Sequence, residues 1–249
     1  MLYNLLAEIG KNSPYTSHRM KGIIEAVFAY AIIKGKATNN PAVSLKGTLP
    51  SVTTKHFSAP TKPAELAPLL KAIDGYNCGY FPIKVALQLL PQLMTRPGEL
   101  RSAEWTEFDL DAAIWIIPAQ RMKMRKEHIV PLPRQAVKLL AGLNVIIGSG
   151  KYVFPNVRTP DKPISNNSFN EAFRYMGFSG DYVVAHGFRA TARTMLHEVL
   201  KFPPDIIEAQ LAHKVPDRLG DTYNRALHLD DRRLMLQAWS DYLDSLKLP

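Results

Sequence analysis

A histidine and an arginine lie three positions apart at the predicted start of a helix. They are His186 and Arg189 in the string HGFR (186–189), and the apolar helical pattern continues through Met195 and Leu196. Residues three apart share one helix face, and the free N–H groups of a helix N-terminus favour anions. The pair therefore outlines a phosphate site. The alternative is that His186 caps the helix and Arg189 forms a structural salt bridge.

A second arginine lies at a predicted junction between two helices. Arg96 follows an apolar helical stretch and precedes Pro97, which suits the first turn of a new helix. Glu99 lies one turn later, where its carboxylate can hold the guanidinium. This arginine is a candidate for binding a phosphate, and a buried structural pair with Glu99 is the alternative.

Three further residues complete the candidate set. Lys123 lies in the basic string RMKMRK (121–126) on a predicted hairpin turn, where it either reaches a phosphate or belongs to a solvated run of charges. Tyr223, in DTYNR (221–225), follows His213 by ten residues. Alone, such a tyrosine is usually a packed amphipathic side chain.

Taken together, these residue types match the needs of phosphoryl transfer without a metal. Arginines neutralise charge on the non-bridging oxygens, a lysine protonates the leaving oxygen, and a tyrosine is the nucleophile. The sequence has no Gly-rich phosphate loop, no His-Glu-x-x-His helix and no Gly-x-Ser-x-Gly elbow. Nucleotide hydrolysis and zinc-protease chemistry are therefore disfavoured.

The elements that must position these residues are mostly helices. Periodicity predicts three short antiparallel strands over 101–109, 113–118 and 127–131, with the basic string between the last two. The predicted helices cover 14–34, 63–74, 80–93, 133–142, 165–176, 186–199, 204–211 and 228–247. We predict a mainly α protein with a small three-stranded antiparallel β-sheet.

Composition favours a polyanionic partner. The 249 residues carry a net charge of +9, and residues 1–60 and 119–138 each contribute +5. A single cysteine, Cys78, excludes an internal disulfide framework and a multi-cysteine metal site. No secretory signal and no apolar run long enough to span a membrane are found, so a cytoplasmic protein is expected.

The first part of the chain is predicted to be a separate, incomplete unit. Helix 14–34 is amphipathic, with Met20, Ile23, Val27 and Tyr30 on its apolar side. Prolines at 41, 50, 60 and 63 then indicate an extended linker. Fifty residues are few for an independent core, so this part is expected to be a remnant of a larger domain or to pack on something else.

The order of the candidate residues resembles the tyrosine recombinase (phage integrase) family. Segment 94–100 (MTRPGEL) is similar to its first arginine box, and 122–132 (MKMRKEHIVPL) to its hairpin-lysine segment. Segments 211–214 (LAHK) and 222–225 (TYNR) resemble its terminal boxes. The tail from Asp231 to Trp239 is similar to prophage and genomic-island integrases.

The resemblance implies a role for each candidate. Tyr223 would attack the scissile phosphate and form a 3′-phosphotyrosine, and Lys123 would protonate the 5′ oxygen. Arg96 and Arg189 would hold the phosphate oxygens with a further hydrogen bond from His213, while His186 would position the tyrosine or accept its proton. Glu99 would support Arg96, and Arg121, Arg125 and Lys126 would contact DNA. No cofactor and no metal are implied.

The resemblance also implies domains and partners. Residues 1–50 would be the C-terminal part of a helical core-binding domain in a chain truncated at its N-terminus, 51–62 a linker and 63–249 the catalytic domain. The implied partner is double-stranded DNA, bound by a homotetramer that is monomeric when free. Residues 228–249 would be exchanged between protomers, and accessory DNA-bending proteins would assist.

Two other functions stay open on the sequence alone. A topoisomerase-like nicking and closing activity uses a similar set of residues without exchanging partners. A decayed prophage integrase that only binds DNA would also account for the incomplete front, although all six candidate residues are present.

Overall fold

The computed structural model describes residues 1–52, 57–77, 79–213 and 228–248. The chain divides into two compact units, Met1–His56 and Phe57–Pro249. Its helices and three-stranded antiparallel sheet confirm the predicted fold class. Within the described parts of the chain, no helix has the length and apolar character that crossing a membrane requires.

The first unit contains two helices and a short 3-10 turn. Helix α1 (Leu2–Asn12), which the sequence reading did not predict, packs against α2 (Pro14–Ile33), and the 3-10 turn covers Val43–Leu45. Ser13 caps α2 by accepting a hydrogen bond from the Thr16 N–H, and the Ser17 hydroxyl donates to the Leu6 carbonyl at 2.6 Å. These contacts hold the two helices together.

The predicted apolar side of α2 is largely exposed. Of the residues named above, Ile23, Val27 and Tyr30 are about half exposed or more. The only α2 residue that is buried is Ser17. An exposed apolar side is common where a helix contacts a partner, and the expectation for this part of the chain stays a prediction.

The second unit is built around one buried helix, α4 (Phe81–Leu93). Helices α3 (Pro63–Gly75), α6 (Arg134–Ile147), α7 (Ser168–Tyr175), α8 (Gly187–Glu198) and α10 (Leu229–Ser245) pack against α4. Short helices α5 (Pro97–Arg101) and α9 (Pro204–Gln210) lie beside this core. The buried Trp239 of α10 donates to the Pro91 carbonyl at 2.8 Å, which joins α10 to α4.

The sheet is smaller than predicted at its first strand. Strands β1 (Phe108–Asp109), β2 (Ile114–Ile117) and β3 (His128–Pro131) pair in the order β1-β2-β3 with antiparallel neighbours. The strand predicted over 101–109 is wrong for most of its length, because α5 extends through Arg101 and a 3-10 turn covers Trp105–Glu107. Trp115 of β2 stacks on Phe108, so that two residues of β1 suffice to cover this edge.

Candidate active site

Arg96 lies at the junction of α4 and α5, as the sequence predicts. Met94 ends α4 in a left-handed conformation (φ 58°), and Pro97 begins α5. The buried Glu99 carboxylate accepts from the Arg96 backbone N–H at 2.8 Å and from its Nη1 at 2.6 Å. A carboxylate that binds both ends of one arginine fixes the guanidinium firmly.

Arg189 is buried in the first turns of α8. Its Nη1 donates to the Met94 carbonyl at 2.5 Å and its Nη2 to the Leu211 carbonyl at 2.7 Å. Burial, with the positive charge of Arg96, lowers the pKa of Arg189 to about 10, so the guanidinium remains charged at neutral pH. Arg189 thus connects the end of α4 with the end of α9. Among the described residues, no carboxylate forms an ion pair with its guanidinium.

His213 lies next to Arg189. Its Nε2 is 3.1 Å from Nη2 of Arg189, and its Nδ1 is 2.5 Å from Oε2 of Glu208. The imidazole is therefore held between a buried cation and a carboxylate. Two residues that are 24 positions apart in the sequence, Arg189 and His213, thus form one pair in space.

His186 immediately precedes α8, and its ring lies 4.5 Å from the ring of Phe57. Burial lowers the pKa of His186, and the charges of Arg189 and Arg96 lower it further. A neutral imidazole at physiological pH is able to accept a proton. The charges of Arg96, Arg189 and His213 all act on the pKa of His186, so the four residues lie near one another.

Hydrogen bonds hold the segment that carries Phe57 against the start of α8. Val184 N–H donates to the Ser58 carbonyl at 3.1 Å, and the Thr191 hydroxyl donates to the Pro60 carbonyl at 2.8 Å. A Cβ on Gly187 would collide with the Ser58 carbonyl oxygen. The glycine is therefore needed for the close approach that brings Phe57 to His186.

A cleft of about 610 Å³ opens beside this cluster. Arg96, Glu99, Lys123 and His186 line it. The Lys123 side chain is exposed, on the segment between β2 and β3. The structure thus brings the hairpin lysine to the same cleft as Arg96 and His186, whereas Arg189 and His213 do not line it.

The three residues predicted to contact DNA differ from one another. Arg125 and Lys126 are exposed on the turn between β2 and β3. Arg121 is four-fifths buried, and its guanidinium donates to the Glu107 carboxylate, the Glu99 carbonyl and the Ser102 hydroxyl. Its guanidinium is thus held by groups of the protein, although Arg121 also lines the cleft beside Arg96 and Lys123.

The structure contains a buried polar network that the sequence did not predict. Arg232 of α10 donates to Oε1 of Gln210 at 2.8 Å and to the Ile129 carbonyl at 2.5 Å. Gln210 in turn donates to the Leu93 carbonyl, and His128 Nε2 bonds the Gln210 carbonyl at 3.1 Å. A glutamine and an arginine at otherwise apolar positions of α9 and α10 are the sequence pattern that could have predicted this network.

The same network determines the charge state of His128. Burial lowers the pKa of His128 to about 3, and the charges of Arg232, Arg189 and Arg96 add to this effect. The ring is therefore neutral and donates from Nε2. Gln210 and Arg232 join the ends of α9 and α10, which flank residues 214–227 in the sequence.

Tyr223, the predicted nucleophile, lies outside the described residues. Among the residues that are described, no group of three or more His, Cys, Asp or Glu side chains gathers as a metal site would require. In the second unit, Arg96, Lys123 and His186 line an open cleft, and Arg189, whose charge acts on Arg96 and His186, contacts His213.

Two family models match the chain. The model of the phage integrase family matches residues 61–228, and the model of the phage integrase central domain matches residues 1–48. The integrase of Enterobacteria phage P4 is 36% identical over 97% of this chain and 58% of its own length. Prophage integrase IntZ of Escherichia coli K12 is 34% identical over 97% of this chain and 59% of its own length.

Solved structures share the fold at low sequence identity. A lambda integrase (75–356) dimer bound to a COC′ core site has a TM-score of 0.65 and 18% identity, covering 89% of this chain and 80% of that one. A lambda integrase tetramer bound to a Holliday junction has a TM-score of 0.64 and 18% identity, covering 93% and 64%. The chain spans somewhat less than three fifths of the length of the curated relatives named above, and by the family models and these relatives it belongs to the phage integrase family.

Proposed function

We propose that this chain cleaves and rejoins double-stranded DNA as a site-specific recombinase, through a 3′-phosphotyrosine at Tyr223. The observation that carries the proposal is that Arg96, Lys123 and His186 line one cleft. Arg189, whose charge acts on both Arg96 and His186, contacts His213 and hydrogen-bonds the ends of α4 and α9. Membership of the phage integrase family supports the same chemistry.

Each residue has a definite task in this reaction. The Tyr223 oxygen attacks the scissile phosphorus while its proton passes to His186, whose lowered pKa favours the neutral ring that can take it. The bond from phosphorus to the 5′ oxygen breaks, and Lys123 gives that oxygen a proton. Arg96 and Arg189 neutralise charge on the non-bridging oxygens, and His213 donates one more hydrogen bond to them.

Rejoining is the same sequence in reverse. A 5′-hydroxyl attacks the phosphotyrosine, Lys123 takes its proton, and the tyrosine oxygen regains one from His186. The phosphotyrosine retains the energy of the broken diester, so the proposed reaction needs neither ATP nor a metal. The tight fixation of Arg96 by Glu99 provides the preorganised charge on which such catalysis depends.

We further propose that the working unit is a homotetramer on DNA and a monomer when free, with accessory DNA-bending proteins. The lambda integrase structures named above include a dimer and a tetramer on DNA. Residues 228–249 stay the candidate for exchange between protomers. In the single chain, α10 packs on α4 and α9 through Trp239 and Arg232, so exchange would have to replace these contacts.

A suicide substrate tests the reaction directly. The purified chain is incubated with a labelled pool of nicked duplexes whose central 30 or so base pairs are randomised, and denatured samples are examined for a covalent protein–DNA band. We expect a band with wild type and with Tyr175→Phe, an exposed tyrosine used as the control, and none with Tyr223→Phe. The band should persist in chelator.

The same experiment separates the alternatives. DNA binding without any covalent band would overturn the enzymatic proposal and favour a DNA-binding remnant. Loss of the band in chelator would contradict the metal-free mechanism. Relaxation of supercoiled plasmid that needs no particular core site would indicate a topoisomerase-like activity instead.

A further inference from the structure

The end of α9 places His213 directly beside Glu208. Ala212 adopts a left-handed conformation (φ 50°), its N–H donates to the Ala209 carbonyl, and the His213 N–H donates to the Glu208 carbonyl, both at 3.1 Å. This pair of hydrogen bonds is a Schellman motif, which turns the chain back over the last turn of a helix. The backbone alone therefore brings the two side chains together.

The Glu208 carboxylate is shared between two partners. Its Oε2 lies 2.5 Å from Nδ1 of His213 and its Oε1 lies 2.5 Å from Nε of Arg193. Burial alone would raise the pKa of Glu208, but the hydrogen bonds from Arg193 and His213 outweigh burial and lower it. An ionised carboxylate only accepts hydrogen bonds, so Nδ1 of His213 carries a hydrogen.

The other ring nitrogen faces the buried arginine. Nε2 of His213 lies 3.1 Å from Nη2 of Arg189, and a guanidinium only donates. Nε2 therefore accepts, which makes the ring neutral with its hydrogen on Nδ1. Histidine in water favours the opposite tautomer, so the acceptor on Glu208 and the donor on Arg189 together select this one.

We propose that Glu208 is a positioning residue for the reaction: it holds the His213 ring by Nδ1 so that Nε2 is directed at the phosphate that Arg189 binds. The proposal rests on the proposed function, since it assigns that phosphate to DNA. When the anion arrives, the ring takes a proton from solvent on Nε2, which then donates to a phosphate oxygen. Nδ1–H continues to donate to Glu208.

Arg193 offers the matched control. It binds the same carboxylate through the other oxygen, Oε1, and its side chain is about three fifths exposed. If Glu208 served only a surface ion pair, Arg193→Gln and Glu208→Ala would have the same consequences. If Glu208 positions His213, only Glu208→Ala changes the ring.

Nuclear magnetic resonance reads the tautomer without DNA or activity. Protein labelled with ¹⁵N-histidine is recorded above pH 7.5, and the ring nitrogens of His213 are assigned with His213→Asn. We expect hydrogen on Nδ1 in wild type, in Arg193→Gln and in Glu208→Gln, whose amide oxygen still accepts. In Glu208→Ala nothing holds Nδ1, so the half-exposed ring should turn away from Arg189 and its hydrogen should move mainly to Nε2, as in free histidine. An unchanged tautomer in Glu208→Ala would overturn the proposal.

Cleavage of the suicide pool supplies the second readout. At saturating DNA, Glu208→Ala should form the covalent complex about tenfold to a hundredfold more slowly, as the loss of one charged hydrogen bond predicts. Glu208→Asp should recover part of the rate, and Arg193→Gln should stay within about threefold of wild type. Equal rates for Glu208→Ala and wild type would refute the positioning role. A wild-type protein that makes no covalent band but shows the predicted tautomers would refute the proposed function alone.

Discussion

The Arg121 guanidinium donates to the backbone carbonyl of Glu99 at 2.5 Å, so an arginine of the basic hairpin holds the helix that carries Arg96. The same guanidinium forms an ion pair with Glu107. We predict that Arg121→Gln destabilises the protein by about 3 kcal/mol, because the buried Glu107 carboxylate loses its cationic partner and keeps only the hydrogen bond from Trp115. Urea denaturation measures this change.

The exposed neighbours of Arg121 should behave in the opposite way. Arg125→Gln combined with Lys126→Gln should leave the unfolding free energy within about 0.5 kcal/mol of wild type. It should weaken DNA binding and lower the salt dependence of the binding constant by roughly one unit per lost phosphate contact. If Arg121→Gln also lowered the salt dependence at unchanged stability, Arg121 would be a DNA contact.

The protein should be more stable with glycine in place of Ala212. Its left-handed conformation at the end of α9 costs an alanine about 1 kcal/mol, whereas glycine adopts it freely. Allowing for the greater freedom of an unfolded glycine, we predict that Ala212→Gly stabilises by about 0.5 kcal/mol. Ala209→Gly, inside the same helix, is the control and should destabilise by a similar amount or more. Equal signs for the two variants would contradict the Schellman assignment.

Gly187→Ala should disturb the segment over the start of α8. The added methyl group would collide with the Ser58 carbonyl and lie 2.9 Å from the Ala59 Cβ. We predict a loss of about 1–3 kcal/mol and weaker contact of Phe57 with His186. Gly142→Ala is the control, since Gly142 is an exposed position of α6 where a Cβ meets nothing within 4 Å, and it should stabilise slightly. Thermal unfolding compares the two.

His128 should make stability depend on pH. Its pKa falls from 6.5 in the unfolded chain to about 3 in the folded protein, so below pH 6.5 the unfolded chain binds a proton that the folded one does not. The contribution is complete above pH 6.5 and is lost as the pH falls toward 3. Between pH 7.5 and 5.5, the loss amounts to about 1.4 kcal/mol.

His128→Asn removes this contribution. Wild type should lose about 1.4 kcal/mol more than the variant between pH 7.5 and 5.5, measured by urea denaturation at each pH. His186, whose pKa is also lowered, is present in both proteins and cancels in the comparison. Equal losses in the two proteins would show that His128 is not buried in its neutral form.

Much of the candidate site could be predicted from local sequence. Arg96 and Glu99 are three apart and form their ion pair across one helical turn. The position of His186 at the start of α8 likewise follows from local periodicity. Such contacts depend on neighbours within one turn, which a single sequence displays directly.

Contacts between segments that are distant in the sequence could not be predicted. Arg121 looked like a surface charge in its basic string, yet Glu107 and the Glu99 carbonyl hold it inside. Gln210 and Arg232, 22 positions apart, gave no sign of their hydrogen bond. Their burial is decided by how α9, α10 and β3 pack, and packing joins residues without any fixed spacing.

The sequence by itself therefore determined the kinds of residues available for phosphate chemistry, the helices that begin and end at them, and the family. Only the tertiary structure decided that Arg189 meets His213, that Glu208 holds Nδ1 of that ring, and that Arg121 pairs with Glu107. The reason is physical: helix formation and capping act over a few residues, whereas the direction of a side chain depends on what the rest of the fold packs around it.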